Sequence, residues 1–264
     1  MRADRLPSLR RVWREHRRAL GIWAAALAAL IVFYLACFPM MGEEMMVAIE
    51  GMPEGLMAAM GYQDAGTPEG YTNAVVYRLL GPVLLLVYAI GLGGRVIAGQ
   101  EEDGSLELDL TAPVSRARLY VERLLASWLL LSVLVAAATL AVLLSTPLFD
   151  LGLEPARVLA ASLGLWLLVG GFLSVAFALG AASGRRAAAV GGAAAMAALT
   201  YVFQGVADGA GIELLAALSP FSWFLDPDPL ATGLHAGSLL QLLLVSLVAA
   251  LLGLWRFGRR DLMT

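Results

Sequence analysis

The sequence contains no lysine, and all 18 of its basic residues are arginine. This absence excludes a phosphate-binding loop built on lysine, a Schiff-base lysine and a lysine general base within these 264 residues. A single cysteine, Cys37, excludes an internal disulfide and a cluster of thiolate ligands. The two histidines, His16 and His235, are too far apart in sequence for a helical zinc motif. The sequence therefore predicts no catalytic residue, no bound cofactor and no metal site on this chain.

Charged residues are also scarce, at 15% against 60% hydrophobic residues, and the mean hydropathy is +0.78. Soluble domains carry about 25% charged residues, so a single aqueous core cannot bury this much apolar sequence. Six apolar stretches approach or reach the roughly 20 residues that cross a bilayer. They are 19–41, 73–94, 124–145, 158–182, 187–206 and 238–255. The sequence predicts an all-α integral membrane protein with six transmembrane helices, and 1–264 form one transmembrane domain.

The arginines predict how the chain is oriented in the membrane. With the N-terminus in the cytoplasm, the inner segments hold 16 of the 18 arginines and 9 acidic residues, a net charge of +7. The outer segments then hold 2 arginines and 12 acidic residues, a net charge of −10. Since positively charged loops stay on the cytoplasmic side, we expect a multi-pass protein with both termini in the cytoplasm.

The segment before the first span is basic and amphipathic. Apolar residues between Leu6 and Leu20 share one arc of a helical wheel, and the opposite arc holds Arg10, Arg11, Arg14, Arg17 and Arg18. This pattern is typical of an interfacial helix on the inner leaflet, with its arginines near the phosphates of membrane lipid. The alternative, that a basic flank of a first span is amphipathic by chance, stays open.

Two predicted outer segments have contrasting compositions. Segment 42–72 is acidic, and seven of the ten methionines lie between Met40 and Met60. Their helix-like spacing favours packing at the membrane surface over copper binding. Segment 207–237 contains two short apolar pieces broken by prolines, with the aromatic residues Phe221, Trp223 and Phe224. It predicts outer re-entrant helices before the last span, with the aromatics at the membrane interface.

Arg78 is the only ionisable residue inside the predicted spans away from their ends. Ion-coupled carriers use buried ionisable groups, so this scarcity argues against a secondary transporter. We expect Arg78 to reach outward to lipid headgroups or to pair with Glu69, and contact with an anionic substrate is the alternative. The spans also lack the serine, histidine and aspartate arrangements of intramembrane proteases.

The segment between the second and third spans is the most informative. Its pattern predicts a short acidic helix with Glu101, Glu102 and Asp103 in the first turn, where carboxylates favour the helix dipole. Leu106 and Leu110 share one face of this helix, Pro113 ends it and Ser115 caps the next helix. A small helix held between two spans is suited to receive force from a docked protein.

This segment contains the run from Ile97 to Leu108, IAGQEEDGSLEL, followed by Ala112-Pro113-Val114-Ser115-Arg116. The two stretches together resemble the signature of permease subunits of type 2 ABC exporters. The basic N-terminal helix, the six spans, the Ser219-Pro220-Phe221 segment and the Arg-Arg-Asp-Leu ending agree with the family. The departures from the family pattern are Gln100 in place of an acid, Ser105 for Thr, Asp109 for Leu and Arg123 for Lys.

The resemblance implies that the permease is not an enzyme and that ATP and Mg bind to separate ATPase (nucleotide-binding) subunits. Segment 99–116 would be the coupling segment docked on the ATPase, through Gly99, Glu101, Glu102, Gly104, Ser105, Leu106, Leu110, Pro113, Ser115 and Arg116. Arg185 and Arg186 would form a second cytoplasmic contact. The pathway or gate residues would be Arg78, Phe221 and Trp223. The partner is a second permease copy as a homodimer, and a heterodimer stays open.

The predicted function is ATP-driven efflux of a hydrophobic or amphipathic substrate, such as a drug, antibiotic or lipid-like compound. The expected location is a prokaryotic cytoplasmic (inner) membrane, and no nucleic-acid partner is expected. Two alternatives stay open. The same machine could move an ion or a copper or sulfur species, or the chain could be a non-transporting membrane scaffold.

Overall fold

The computed structural model describes residues 7–40, 51, 66–104, 115–210 and 212–260. Over these residues the chain is helical and contains no strand. Six helices are long and apolar enough to cross a membrane. In chain order these are α1 (Pro7–Cys37), α2 (Pro68–Glu102), α3 (Arg116–Leu148), α4 (Pro155–Ser183), α5 (Arg186–Ala210) and, after three short helices, α9 (Ala236–Arg259). The predicted all-α membrane architecture is confirmed.

Helix α4 is the centre of the bundle. Its most apolar window is 78% buried, compared with 17% for α9, and α4 packs against α2, α3, α5 and α9. Glycines allow this close packing. A Cβ on Gly93 of α2 would lie 2.7 Å from the carbonyl oxygen of Leu173, and a Cβ on Gly170 would overlap the Trp128 ring of α3. The glycines therefore bring the spans of one subunit together.

The predicted interfacial helix and the first span form one continuous helix, α1. Its sequence holds no proline between Pro7 and Pro39 and is rich in alanine, so nothing breaks the helix. From Val12 onward one stripe is buried, and α1 packs against α3. The arginines Arg14, Arg17 and Arg18 are exposed. No break in the helix separates the basic segment from the span within Pro7–Cys37, and an orientation along the inner leaflet stays a prediction.

Helix α2 is longer and less regular than the predicted span. It widens into π-helical turns over Asn73–Leu80 and again over Arg95–Gly99. The first wide turn precedes Pro82, which has no N–H to donate, and the N–H of Gly81 bonds the carbonyl of Val76 five residues earlier. In the second wide turn the carbonyl of Val96 accepts a hydrogen bond from Nη1 of the buried Arg123, at 2.9 Å.

Three short helices lie between α5 and α9: α6 (Glu213–Leu218), α7 (Pro220–Leu225) and α8 (Pro229–Thr232). The sequence pattern predicts two pieces, and the third arises because Pro229 begins another turn capped by Asp228. None is long enough to cross a bilayer. Ser219 joins α7 to α5 by donating its hydroxyl to the carbonyl of Thr200 at 2.7 Å. Their depth in the membrane stays a prediction.

Candidate functional site at the arginine-rich end

Six helix ends meet at one end of the bundle, which we call the arginine-rich end. They are the start of α1, the end of α2, the start of α3, the turn between α4 and α5 and the end of α9. They share one end because consecutive spans alternate in direction. This arrangement brings together the described residues of the predicted coupling segment with the predicted second contact, Arg185 and Arg186.

The acidic residues of the predicted coupling segment lie at the end of α2, so their placement in the first turn of a separate helix is wrong. Helix α2 continues through Glu102, and Asp103 caps it. The chain leaves the helix at Gly104, which adopts a left-handed conformation with φ of 70°. The N–H of Gly104 donates to the carbonyl of Glu101 at 3.1 Å. No earlier residue breaks the helix. Carboxylates at a helix C-terminus oppose its dipole, so they need positive partners.

Glu101 finds its partner at the end of α9. Its carboxylate forms an ion pair with the guanidinium of Arg260, and the two side chains are only 9% and 18% exposed. The carbonyl oxygen of Arg260 also accepts a hydrogen bond from Nη1 of Arg116, at 2.9 Å. Arg260 therefore connects the end of α2 with the start of α3.

Glu102 finds its partner at the start of α5. Its Oε1 accepts a hydrogen bond from the backbone N–H of Arg186, at 2.8 Å. The first N–H groups of a helix have no partner within the helix, and they carry the positive end of its dipole. The carboxylate of Glu102 therefore gives the first N–H groups of α5 an acceptor, and the positive end of the α5 dipole offsets the unfavourable position of this carboxylate at the end of α2.

Gly184, in the turn between α4 and α5, covers the Glu101–Arg260 pair. Its φ of 66° is left-handed, which favours glycine. A Cβ at this position would overlap the guanidinium of Arg260 and lie 2.8 Å from Oε1 of Glu101. The conformation and the space both require glycine here.

Two further bonds connect the remaining helix ends. Nε2 of Gln100 donates to Oε2 of Glu15 at 3.4 Å, which connects α2 to α1. Ser115 accepts the N–H of Arg118 at 3.3 Å and caps α3, as its position predicts. Arg123, a second departure from the family pattern, lies buried beside the wide turn of α2.

The remaining residues predicted to dock on the ATPase belong to the coupling segment and to the second cytoplasmic contact. Gly99 is buried, and a Cβ there would lie 3.2 Å from Cγ of Arg95. Arg185 is exposed, and its N–H bonds the hydroxyl of Ser183 at 3.2 Å. Four predicted docking residues lie outside the described residues: Ser105, Leu106, Leu110 and Pro113.

The predicted pathway or gate residues lie toward the opposite end. Arg78 is half-buried in the first wide turn of α2. Within the part of the chain that the structure describes, Glu69 forms its ion pair with Arg157, at 3.9 Å, and no ion pair joins it to Arg78. Phe221 is buried between the rings of Phe172 and Tyr201, whose centroids lie 5.7 and 5.2 Å away.

Trp223 is half-buried and donates its indole N–H to the carbonyl of Ala217 at 3.2 Å. Its contact connects α7 to α6. Gating by Arg78, Phe221 or Trp223 stays a prediction.

Sequence reasoning missed Glu15 as a member of this site, placed Gly184 in the second cytoplasmic contact without a role of its own, and gave Arg260 no partner. Arg260 lies in the Arg-Arg-Asp-Leu ending, where the resemblance marks the residue but names no partner. Glu101 and Arg260 are 159 positions apart, and no local pattern joins residues at that distance. A glycine directly before a pair of arginines was the available signal for Gly184.

Residues 8–262 match the family model described as "ABC-2 family transporter protein". The chain belongs to this family. No curated protein matches the chain at a significant level. The ABC-2 permeases are membrane components of transporters and associate with an ABC ATPase subunit.

Proposed function

We propose that this ABC-2 permease couples ATP hydrolysis on separate ATPase subunits to the export of a hydrophobic or amphipathic substrate. One observation carries the proposal: the coupling segment is bonded at both of its described ends to other spans. Glu102 bonds the start of α5, and Arg116 donates to the carbonyl of Arg260 at the end of α9. A force on the residues between these two bonds would therefore reach several spans together.

The part of the segment proposed to meet the ATPase begins at Asp103. The side chain of Asp103 is exposed, as is Gly104. Glu101 is largely buried in its ion pair, and Glu102, although exposed, bonds the start of α5. We propose that Asp103 and 105–114 contact the ATPase, and that Glu101 and Glu102 transmit the movement.

An apolar groove between α3 and α4 supports the proposal that the substrate is hydrophobic or amphipathic. Its volume is about 430 Å³, within the range of small-molecule sites. Its polar groups are mostly used within the protein, since Ser132 accepts the indole N–H of Trp166 at 3.1 Å and Thr139 donates to the carbonyl of Val135 at 2.8 Å. A groove of this character favours apolar molecules over ions.

The exposure of three spans supports the proposal that a second permease copy and membrane lipid surround them. The most apolar windows of α1, α5 and α9 are only 22%, 28% and 17% buried within one subunit. Helices this exposed need lipid or another subunit around them. We propose a homodimer in a prokaryotic cytoplasmic membrane with the arginine-rich end in the cytoplasm, and a heterodimer is the alternative.

The docking proposal is tested with the full chain purified together with its ATPase and reconstituted in lipid vesicles. Asp103→Arg reverses an exposed charge at the proposed docking surface. We expect it to lower either the ATPase recovered per permease or the ATP-dependent uptake of rhodamine 6G into inverted vesicles by at least fivefold. Glu213→Arg is the matched control, because Glu213 is an exposed acid at the opposite end.

Equal values for Asp103→Arg and Glu213→Arg would overturn the docking site. A wild-type preparation without ATPase activity would instead support the scaffold alternative. The copper alternative depends on Met45, Met46, Met52 and Met57, which lie outside the described residues. Uptake of Cu(I) in place of rhodamine 6G by the same vesicles would favour it.

A further inference from the structure

We infer that Arg260 is a positioning residue that connects the coupling segment to the last span, α9. The inference rests on the proposed function, since it concerns how a movement of the coupling segment spreads. The Arg260–Glu101 ion pair joins the ends of α9 and α2. A displacement of the end of α2 would therefore also displace α9.

The surroundings of this ion pair distinguish it from an ordinary surface pair. Surface pairs contribute little because water and salt screen them. Here the carboxylate of Glu101 and the guanidinium of Arg260 are both largely shielded from water. The turn at Gly184 closes over the pair, and Arg116 holds the backbone carbonyl of Arg260. The pair is thus fixed from three helix ends.

The end of α9 is also packed rigidly onto α3 and α4, so a pull at Arg260 would move the helix and not only its last residue. Phe257 is fully buried, and its ring centroid lies 5.9 Å from that of Tyr120 on α3. The hydroxyl of Tyr120 donates to the carbonyl of Ala250 at 3.0 Å. A Cβ on Gly253 would lie 2.7 Å from Cβ of Ala178 on α4.

The neighbouring arginines of α9 make different contacts. Arg259 is exposed, and its guanidinium lies 4.7 Å from the ring centroid of Trp255 on the same helix. Arg256 lies 5.9 Å from that ring. Arg259 therefore offers a matched control with the same charge, one residue away, and without the ion pair to Glu101.

The test uses the full permease with its ATPase in lipid vesicles and measures rhodamine 6G transported per ATP hydrolysed. We expect Arg260→Gln to retain the ATPase and its hydrolysis within twofold and to lower transport per ATP at least fivefold. Arg259→Gln should stay within twofold of the wild type. The charge swap Glu101→Arg with Arg260→Glu should restore at least half of the wild-type ratio, because it rebuilds an ion pair.

Rescue by the charge swap separates positioning from a general loss of folding, and thermal midpoints of the variants in detergent provide the folding control. If Arg260→Gln does not fold, the comparison of the charge swap with Glu101→Arg alone decides the question. Equal transport ratios for Arg260→Gln and Arg259→Gln, or no rescue by the swap, would overturn the inference. Loss of ATP-dependent transport in the wild type would overturn the proposed function instead.

Discussion

Gly170 of α4 lies against Trp128 of α3, and this contact shows how one carbon atom decides helix packing. A Cβ on Gly170 would overlap the Trp128 ring, coming within 2.7 Å of Cζ2. The ring cannot move freely, because its indole N–H donates to the hydroxyl of Ser174 at 3.2 Å and it forms a T-shaped contact with Trp166, with 4.9 Å between centroids. The next residue, Gly171, has room, since its Cβ would lie 3.5 Å from Oγ of Ser246.

We therefore predict that Gly170→Ala destabilises the protein and Gly171→Ala does not. Overpacking a tight core site costs about 1–3 kcal/mol. The expected result is a clearly lower thermal midpoint for Gly170→Ala in detergent, measured by fluorescence-detected size-exclusion chromatography after heating. Equal midpoints for the two variants would contradict the described packing of α3 against α4.

Gln100 shows why a departure from the family pattern is physically reasonable here. Its amide donates to the carboxylate of Glu15 on α1. An acid at this position, which the family pattern has, would place two negative charges together and repel α1. The amide instead connects the start of α1 to the end of α2.

Single residues differ in how far the sequence could predict their roles. The capping role of Ser115 is predictable because it acts within four residues of its own helix. The partners of Glu101 and Glu102 are not predictable, since they come from α9 and α5. Local patterns specify which group needs a partner, and only folding supplies it.

At the level of the helices, α2 carries the largest difference between expectation and structure. Its sequence predicts a helix end between 94 and 103, but the helix continues to Glu102. Acidic residues indicate a helix start only when no helix precedes them. In α2 the turns of the span already precede them, and partners from α5 and α9 offset the unfavourable position.

The segment before α8 provides a test of what holds a single helix in place. Asp228 has a left-handed φ of 45°, and its Oδ1 accepts the amide of Asn73 at 3.0 Å and the N–H of Ala231 at 3.4 Å. We predict that Asp228→Ala, which loses both bonds, increases hydrogen exchange across α8 more than Asn73→Ala, which loses one. Asp228→Asn should stay near the wild type, because its amide oxygen replaces the acceptor.

Deuterium uptake followed by mass spectrometry over 226–235 measures this difference. If Asn73→Ala increases uptake as much as Asp228→Ala does, then the bond to α2 and not the cap holds α8. If neither variant changes uptake, the two bonds do not hold the segment.

At the level of the whole molecule, the start of α1 and the end of α9 lie at the arginine-rich end, and α6 to α8 lie at the opposite end. The distribution of arginine predicts that the arginine-rich end is cytoplasmic. The single native cysteine makes this orientation simple to test, because Cys37→Ser gives a background without thiols.

In that background we predict that Leu234→Cys reacts with a membrane-impermeant maleimide in right-side-out vesicles. Arg185→Cys should react only after detergent opens the vesicles. Both positions are exposed in the subunit, and Leu234 is 63% exposed. The opposite labelling pattern would reverse the orientation, and with it the side on which an ATPase could bind.

The sequence by itself determined that the protein lies in a lipid bilayer, how many spans it has and which end of the molecule carries the arginines. These properties follow from hydropathy and charge summed over each segment, which do not depend on the partners of any residue. Only the tertiary structure decided that α4 is central and that Glu101 pairs with Arg260 beneath Gly184. Such pairings depend on close approach between helices far apart in the chain, and the small residues that permit the approach do not specify which helices meet.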